Sequence, residues 1–210
     1  MSIYKYALGD QFDQLHPMLQ KRYSFSKQQH FCGTGVMKRI SGGPRWLYPL
    51  FYLGTKAKLL FPEKGTNIPF HIRNTCRSGA DGKEQVHWQR TFSFGPKKRY
   101  FNALMTLDEE RLIIEDYLGE PALLYSDLAF QVNGEDGSIT IQSLNQRMVL
   151  GRKEIPLPRL FQGLATVTER YLEDRESFYI HVTVKNPIIG TVFSYEGEFT
   201  SENESQRFSG

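Results

Sequence analysis

The sequence predicts a mainly β protein: an antiparallel β-barrel or strongly curved sheet of about nine or ten strands. Two observations favour this class. The 210 residues include 15 Phe and 11 Tyr, many in runs that alternate with polar residues, and such residues suit the pleated surface of a strand. From residue 68 onward, short runs of this kind follow at even spacing with turn signals between them. That spacing is typical of barrels and sandwiches.

The first forty residues predict two short helices and one strand. Residues 10–16 and 17–23 carry apolar residues at helical spacing. Pro17 separates them, because proline is tolerated at a helix start but not in its interior. Residues 31–40 predict the first strand.

The most apolar stretch, residues 44–61, predicts a broken helix that closes one end of the barrel. Pro49, Gly54 and two lysines interrupt it, and its length is only marginal for a membrane span. Aromatic residues with flanking lysines also suit a helix that lies on a membrane surface, although the apolar residues form no single clean stripe. Both interpretations stay open.

The rest of the chain predicts a succession of strands. Glycine-rich loops such as 78–82 and 134–137 mark the turns. We expect one β-rich domain over residues 1–200 and a loose polar tail over 201–210. The predicted strands are 68–76, 85–94, 100–107, 111–118, 122–132, 138–149, 164–172, 178–184 and 191–200.

Composition indicates which kinds of partner the protein does not bind and in which cellular compartment it works. The 26 Lys and Arg against 23 Asp and Glu give a net charge of +3, too weak a basic character for a nucleic-acid binder. The only cysteines, Cys32 and Cys76, predict free thiols in a reducing cytoplasm. The N-terminus has no apolar core of signal-peptide length, and no run suffices for a transmembrane segment.

Standard catalytic signatures are missing from the sequence. It contains no dinucleotide fingerprint, P-loop, nucleophile elbow, paired cysteine motif or His-x-x-x-His pair. His71, His87 and His181 fall on the polar sides of their strands. We therefore predict no cofactor and no metal, and assign no catalytic residue.

Three charged residues occupy positions that strand alternation assigns to the interior. In residues 85–94, Arg90 shares a face with Trp88 and other apolar side chains. Asp116 and Glu169 share faces with apolar residues of their own strands in the same way. Because a lone buried charge costs several kcal/mol, such groups persist only when paired or turned to a water-filled cavity. They form either an internal salt bridge of Arg90 with Asp116 or Glu169, or a polar cluster in an apolar small-molecule pocket.

A set of motifs runs along the chain from about Tyr4 to Phe199: LGDQFDQLHPMLQKRY, GTGVM, SGGP, LFPEKGTNIPF, VHWQRTFSF, EDYLG, LPRLFQGLATVTERY and VKNPIIGTVFSYEGEF. With these motifs the chain resembles a bacterial family catalogued as domain of unknown function number 4166. The resemblance supplies no catalytic or binding residues. Members look like stand-alone proteins or parts fused to other modules, including saccharopine-dehydrogenase-like ones. This implies partnership with an oxidoreductase, such as a dehydrogenase-like protein, or with the metabolism of an apolar compound.

These observations favour non-catalytic binding of a hydrophobic small molecule or lipid in a barrel cavity. Arg90 would meet an anionic or carbonyl group and Trp88 would line the cavity, while Asp116 and Glu169 would orient Arg90 or accept from ligand hydroxyls. A closed cavity of several hundred cubic ångströms is the corresponding expectation. One alternative is an isomerase or hydrolase that uses either carboxylate as general base. Another is a protein-interaction module that partners an oxidoreductase through residues 46–51.

Overall fold

The computed structural model describes residues 2–24, 26–27, 30–79, 82–151 and 153–202. Within them, twelve strands form one sheet, and ten of these close into an antiparallel β-barrel, which confirms the predicted fold class. The strands are β1 (Phe31–Gly42), β2 (Gly65–Ser78), β3 (Glu84–Phe94), β4 (Lys97–Tyr100), β5 (Ala103–Asp108), β6 (Ile113–Leu118), β7 (Leu124–Val132), β8 (Ile139–Leu150), β9 (Lys153–Pro156), β10 (Leu164–Leu172), β11 (Ser177–Asn186) and β12 (Gly190–Ser201).

Neighbouring strands of the barrel wall follow one another in the chain, except that β4 and β9 are not part of the wall. Its circuit runs β1-β2-β3-β5-β6-β7-β8-β10-β11-β12 and back to β1, while β4 pairs with β3 and β9 with β8. The first and last strands pair from Gly33–Ser201 to Gly42–Phe193. The contact between β8 and β10 is much shorter, from Ile139–Glu169 to Gln142–Thr166.

Aromatic side chains fill the interior because alternate residues of each strand point inward. On β3 the inward residues Val86, Trp88, Arg90 and Phe92 are buried. The Phe92 ring lies 5.0 Å from Phe61, 5.1 Å from Phe70 and 5.1 Å from Tyr195 between centroids. The high Phe and Tyr content of the sequence thus supplies the core.

Short helices connect and close the barrel. The α-helices are α1 (Ile3–Leu8), α2 (Pro17–Tyr23) and α3 (Tyr48–Gly54), and the 3₁₀ helices are Gly9–Gln14, Arg45–Leu47, Thr55–Ala57, Arg159–Phe161 and Glu173–Arg175. The predicted helix over 17–23 matches α2, whereas the one over 10–16 is a 3₁₀ helix. The prediction missed α1, whose N-terminus is capped by the Ser2 side chain accepting from the Tyr4 amide.

Residues 3–23, which we call the lower plug, close the end of the barrel at which β1 begins. Tyr4 is fully buried and packs against Trp88. The His16 amide donates to the Gly137 carbonyl at 3.0 Å, which ties the plug to the β7–β8 turn.

Residues 43–64, which we call the upper cover, close the opposite end. Its side chains Leu47, Phe51 and Phe61 are buried in the hydrophobic core. The Gly43 amide donates to the Val192 carbonyl at 2.6 Å, and the Glu120 amide to the Ala57 carbonyl, also at 2.6 Å. This is the broken helix predicted to close one end.

The predicted elements differ from the structure in two strands. The predicted strand over 100–107 divides into β4 and β5, because Phe101 and Asn102 leave the ladder and Asn102 Oδ1 accepts from the Arg90 amide at 3.2 Å. The stretch Lys153–Pro156, which the predicted strands leave out, forms β9. Of the predicted tail over 201–210, Ser201 belongs to β12, and positions beyond 202 lie outside the described residues.

Candidate functional site

All four predicted site residues lie inside the barrel. The exposed fraction is 4% for Arg90, 2% for Trp88, 5% for Asp116 and 0% for Glu169. The strands β3, β6 and β10 hold them on inward positions, as alternation predicts. They divide into two clusters: Arg90, Trp88 and Asp116 surround a cavity in the upper half, and Glu169 lies in the lower half beside Arg22.

The cavity has a volume of about 30 Å³. Nine apolar side chains line it, and its three polar members are Arg90, Asp116 and Ser143. A space of this size holds about two water molecules. The expectation of several hundred cubic ångströms is therefore wrong for this conformation, although the apolar wall with a few polar groups has the predicted character.

Arg90 is held by neutral oxygens. Its Nε donates to the Phe101 carbonyl at 2.7 Å and its Nη1 to the Tyr195 hydroxyl at 3.3 Å. The guanidinium lies 4.1 Å from the Phe101 ring centroid, a cation–π arrangement. Among the described residues it forms no ion pair, so the predicted salt bridge with Asp116 or Glu169 is wrong. Since arginine has five N–H donors, others are left for a group in the cavity.

Asp116 is a buried carboxyl with unfilled hydrogen-bonding capacity. In the described part of the chain, Oδ1 has no hydrogen-bond partner. Burial raises the pKa of Asp116 to about 7, against a partial lowering by the charge of Arg90. The group therefore exchanges a proton near neutral pH, and it can accept a hydrogen bond from a molecule in the cavity.

Trp88 contributes only its ring to the cavity. Its Nε1 donates to the Tyr4 hydroxyl at 2.7 Å, and that hydroxyl donates to Met105 Sδ at 3.1 Å. The polar edge of the tryptophan thus anchors the lower plug.

Glu169 belongs to an ion pair that the sequence analysis did not predict. Arg22 reaches it from α2 with two hydrogen bonds, Nε to Oε2 at 2.7 Å and Nη2 to Oε1 at 3.0 Å. The Tyr23 hydroxyl donates to Oε2 at 3.0 Å. The Arg22 guanidinium also lies 4.5 Å from the Phe31 ring centroid and 5.0 Å from that of Phe199. Both oxygens of Glu169 are engaged in fastening the plug.

A signal for Arg22 was present in the sequence. Position 22 follows Leu15 and Leu19 at the i+7 and i+3 positions of the apolar face. A charge in that stripe is the helical counterpart of the misplaced charges on the strands, and it would have supplied a candidate partner for Glu169.

The wall of the barrel is incomplete beside the cavity, at a place that we call the seam. Above Gln142, β8 bends at Asn145, where φ is +47°, and continues toward β9 instead of β10. The Gln146 side chain spans the gap: its Nε2 donates to the Gly163 carbonyl at 3.1 Å, and its Oε1 accepts from the Gly163 amide at 2.7 Å. Ala165 and Val167 line the cavity and are only half-buried.

No group of three or more His, Cys, Asp or Glu side chains among the described residues is arranged to hold a metal ion. None of the helices in that part of the chain has the length and apolar character needed to cross a membrane.

Comparison with known proteins relates the chain to others over almost all of its length. A family model described as "Domain of unknown function (DUF4166)" matches residues 15–199. The chain is also 43% identical over 204 residues to YndH, an uncharacterized protein of Bacillus subtilis (strain 168), and the match covers 96% of this chain and 97% of that protein. These matches confirm the resemblance predicted from the motifs: the chain belongs to the DUF4166 family.

Proposed function

We propose that the barrel binds a hydrophobic small molecule or lipid, without catalysis, and holds the polar group of that ligand between Arg90 and Asp116. The observation that carries this proposal is the cavity itself, whose apolar wall contains an arginine with unused donors and a carboxyl oxygen without a partner. Binding sites for small molecules commonly combine an apolar lining with a few oriented polar groups.

The two polar groups favour a particular ligand chemistry. Arg90 would donate to a carboxylate or carbonyl oxygen, and Asp116 would accept from a hydroxyl. The Trp88 ring and the aliphatic wall would pack against the apolar remainder. Glu169 has no part in this proposal, because its oxygens already accept from Arg22 and Tyr23.

The seam would provide the entrance. A ligand larger than two water molecules needs additional space, and the upper parts of β8 and β10 are joined by the Gln146 side chain rather than by a backbone ladder. We therefore expect ligands to enter between Gln146 and Ala165, with these strands moving apart.

A fluorescent fatty acid and its alcohol analogue test the proposal in direct titrations. We expect the acid to bind and Arg90→Met to weaken the acid more than the alcohol, because only the acid presents a charge to the guanidinium. Ala165→Leu should block the cavity. Ala129→Leu is the matched control, since Ala129 lies on β7 outside the cavity lining.

Native mass spectrometry of the protein purified from its own host gives an independent check, because it detects a co-purified apolar compound of any structure. Failure to bind either probe, together with the absence of a co-purified compound, would falsify the proposal. Equal losses in Ala165→Leu and Ala129→Leu would place any bound probe elsewhere on the protein.

An enzyme with Asp116 as general base is the second candidate. The observation that favours it is the pKa of about 7, close to the value at which a general base works best at neutral pH. An isomerase or hydrolase reaction would suit such a group. Asp116→Asn separates the candidates. An enzyme shows turnover that the variant loses while it still binds, whereas a binding protein shows no turnover in either form.

We also propose a protein partner and a cellular compartment. A dehydrogenase-like partner follows from the resemblance, and a cytoplasmic location follows from the cysteines and the N-terminal sequence. Affinity capture from the host, with identification of co-eluting dehydrogenases, tests the first. Fractionation of host cells tests the second.

A further inference from the structure

The upper end of the barrel exposes a set of large apolar side chains, which we call the upper patch. Five belong to the cover and three to neighbouring segments, and each is at least half exposed. They are Trp46, Tyr48, Leu50, Tyr52, Leu53, Leu160, Phe161 and Ile188. Large apolar side chains exposed together at one end of a protein usually mark an interaction site.

Backbone and side-chain contacts bring these segments to the same end. The cover is attached to β12 through the hydrogen bond from Gly43 to Val192. The Asn186 side chain donates to the carbonyls of Leu160 and Gln162, at 2.8 and 2.7 Å, which fixes the 3₁₀ helix Arg159–Phe161 beside the β11–β12 turn. Residues from three loops therefore share the surface.

The exposed charged side chains that the structure describes at this end are all basic. They are Arg45, Lys56, Lys64, Lys97, Lys98, Lys153, Arg159 and Lys185. The acidic residues that the structure describes at this end are half-buried and already paired, Glu63 with Arg99, Glu120 with Lys58 and Glu154 with Arg147.

The lower end differs in carrying exposed charges of both signs. The acidic side chains of its turns, Glu109, Glu110, Glu135, Asp136, Glu173, Asp174 and Glu176, are accompanied by exposed basic ones such as Lys21, Arg77, Lys83, Arg111 and Arg175. A strongly negative surface would therefore attract the upper end more strongly than the lower end.

We propose that the upper end docks onto the surface of an anionic lipid bilayer. The upper patch would enter the interface, where tryptophan and tyrosine place their rings at the level of the headgroups. The surrounding lysines and arginines would contact anionic headgroups, each strengthening binding by about fivefold. The combination of amphipathic aromatic residues with unopposed positive charge selects a lipid surface over an acidic protein, which would need a matching apolar face.

Docking would be peripheral and independent of the cavity. The helix α3 has seven residues, of which Phe51 faces the core, so the cover lies along the barrel mouth. Neither Arg90 nor Asp116 takes part, so the docking surface can be tested without any ligand.

Vesicles provide the test. Purified full-length protein is mixed with vesicles of phosphatidylcholine alone or of phosphatidylcholine with phosphatidylglycerol, and the bound fraction is measured by sedimentation. We expect binding to the anionic vesicles, weaker binding at high salt, and little binding to the neutral ones. Trp46 reports insertion directly, because the other tryptophan, Trp88, is buried: its emission should shift to shorter wavelength in anionic vesicles.

Two pairs of matched variants locate the surface. Leu50→Ser with Leu53→Ser should lower the partition coefficient at least about tenfold, while Leu112→Ser with Val36→Ser, exposed apolar residues away from the upper end, should leave it unchanged. Lys97→Glu with Lys98→Glu should give a comparable loss, and Arg73→Glu with Arg77→Glu provides the same charge change elsewhere. Circular dichroism verifies that each variant is folded.

Three results would overturn the proposal. One is that folded wild-type protein binds neither kind of vesicle. Another is that the upper variants and their controls lose binding equally. The third is that light scattering detects a dimer which Leu50→Ser with Leu53→Ser dissociates, without vesicle binding, since the upper patch would then be an interface between copies of the chain.

Discussion

The two polar clusters inside the barrel each combine an arginine with a carboxyl group, but only one of them forms an ion pair. In the lower half, Arg22 and Glu169 face each other with two charge-assisted hydrogen bonds, and Tyr23 donates a third. In the upper half, Arg90 and Asp116 line one small cavity without joining. Although all four residues are buried, Arg22 and Glu169 form an ion pair, whereas Arg90 and Asp116 do not bond to each other.

This difference separates a structural role from a candidate functional one. A buried charge without a counter-charge reduces stability, so the upper cluster costs the fold more than the lower one. Burial alone does not distinguish the two, and Arg22 Nη1 is itself buried without a hydrogen-bond partner among the described residues. The difference is that Arg22 and Glu169 form an ion pair, whereas Arg90 and Asp116 do not. The predictions that follow test this contrast.

The largest expected effect is in the lower cluster. Glu169→Gln should lower the free energy of unfolding by about 3–5 kcal/mol, because it leaves the Arg22 guanidinium buried without a counter-charge. Urea denaturation measures the loss. Glu173→Gln is a matched control on an exposed side chain and should change stability little. Replacing both Arg22 and Glu169 with Met should recover much of the loss; no recovery would show that the pair is not the cause.

The next largest effect is the change in folding stability with pH that Asp116 causes. Its pKa is higher in the folded protein than the 3.8 of an ordinary aspartate, so the folded state binds the proton more tightly. Stability from this group is therefore greatest below about pH 4 and decreases until about pH 7. At about 1.4 kcal/mol per pKa unit, the decrease is at most roughly 4 kcal/mol. Asp116→Asn should remove this decrease in denaturation curves recorded at about pH 5 and pH 8; a variant with the wild-type pH profile contradicts it.

A smaller effect is expected for Arg90. Arg90→Met leaves the Phe101 carbonyl and the Tyr195 hydroxyl without their donor, which should cost about 2 kcal/mol. The loss should be larger at about pH 8 than at about pH 5, because ionised Asp116 also loses its nearby positive charge. Thermal unfolding of Arg90→Met with and without Asp116→Asn measures this coupling. Equal losses at both pH values would show that the two groups do not interact.

The smallest effect is expected at the seam. Gln146→Ala removes the side chain that joins β8 to the segment before β10, and should cost about 1 kcal/mol. Hydrogen exchange of the Gly163 amide should become faster, since Gln146 is its acceptor. Gln142→Ala is the control, as Gln142 is exposed and lies in the backbone-paired part of β8. Unchanged exchange at Gly163 would argue against a side-chain closure.

Sequence patterns predicted inward and outward positions well because alternation is a local property. The predicted strand over 164–172 coincides with β10, and Arg90, Asp116 and Glu169 all point inward. Local patterns do not specify which distant residue faces a buried charge. Arg22 and Glu169 are 147 positions apart, and their meeting depends on the plug entering a closed barrel.

The missed elements have related causes. The strand β9 (Lys153–Pro156) is short and contains a proline, so its sequence lacks a clear strand pattern. It pairs with β8 at the edge of the sheet, where a proline is tolerated. The size of the cavity depends on how ten strands pack around the side chains between them, which no single stretch of sequence specifies. The resemblance to the family was recognisable from motifs, but those motifs carry no chemistry of their own.

The pairing of β1 with β12 also determines when the protein can fold. Residue 33 has its partner at position 201, so the barrel cannot close on the ribosome until synthesis has passed residue 201. Contacts this distant in sequence are entropically costly to form early, and chains dominated by them fold slowly. During synthesis the outer edge of β1 is an unpaired strand available to other chains. The protein is therefore most prone to aggregation while it is being synthesised.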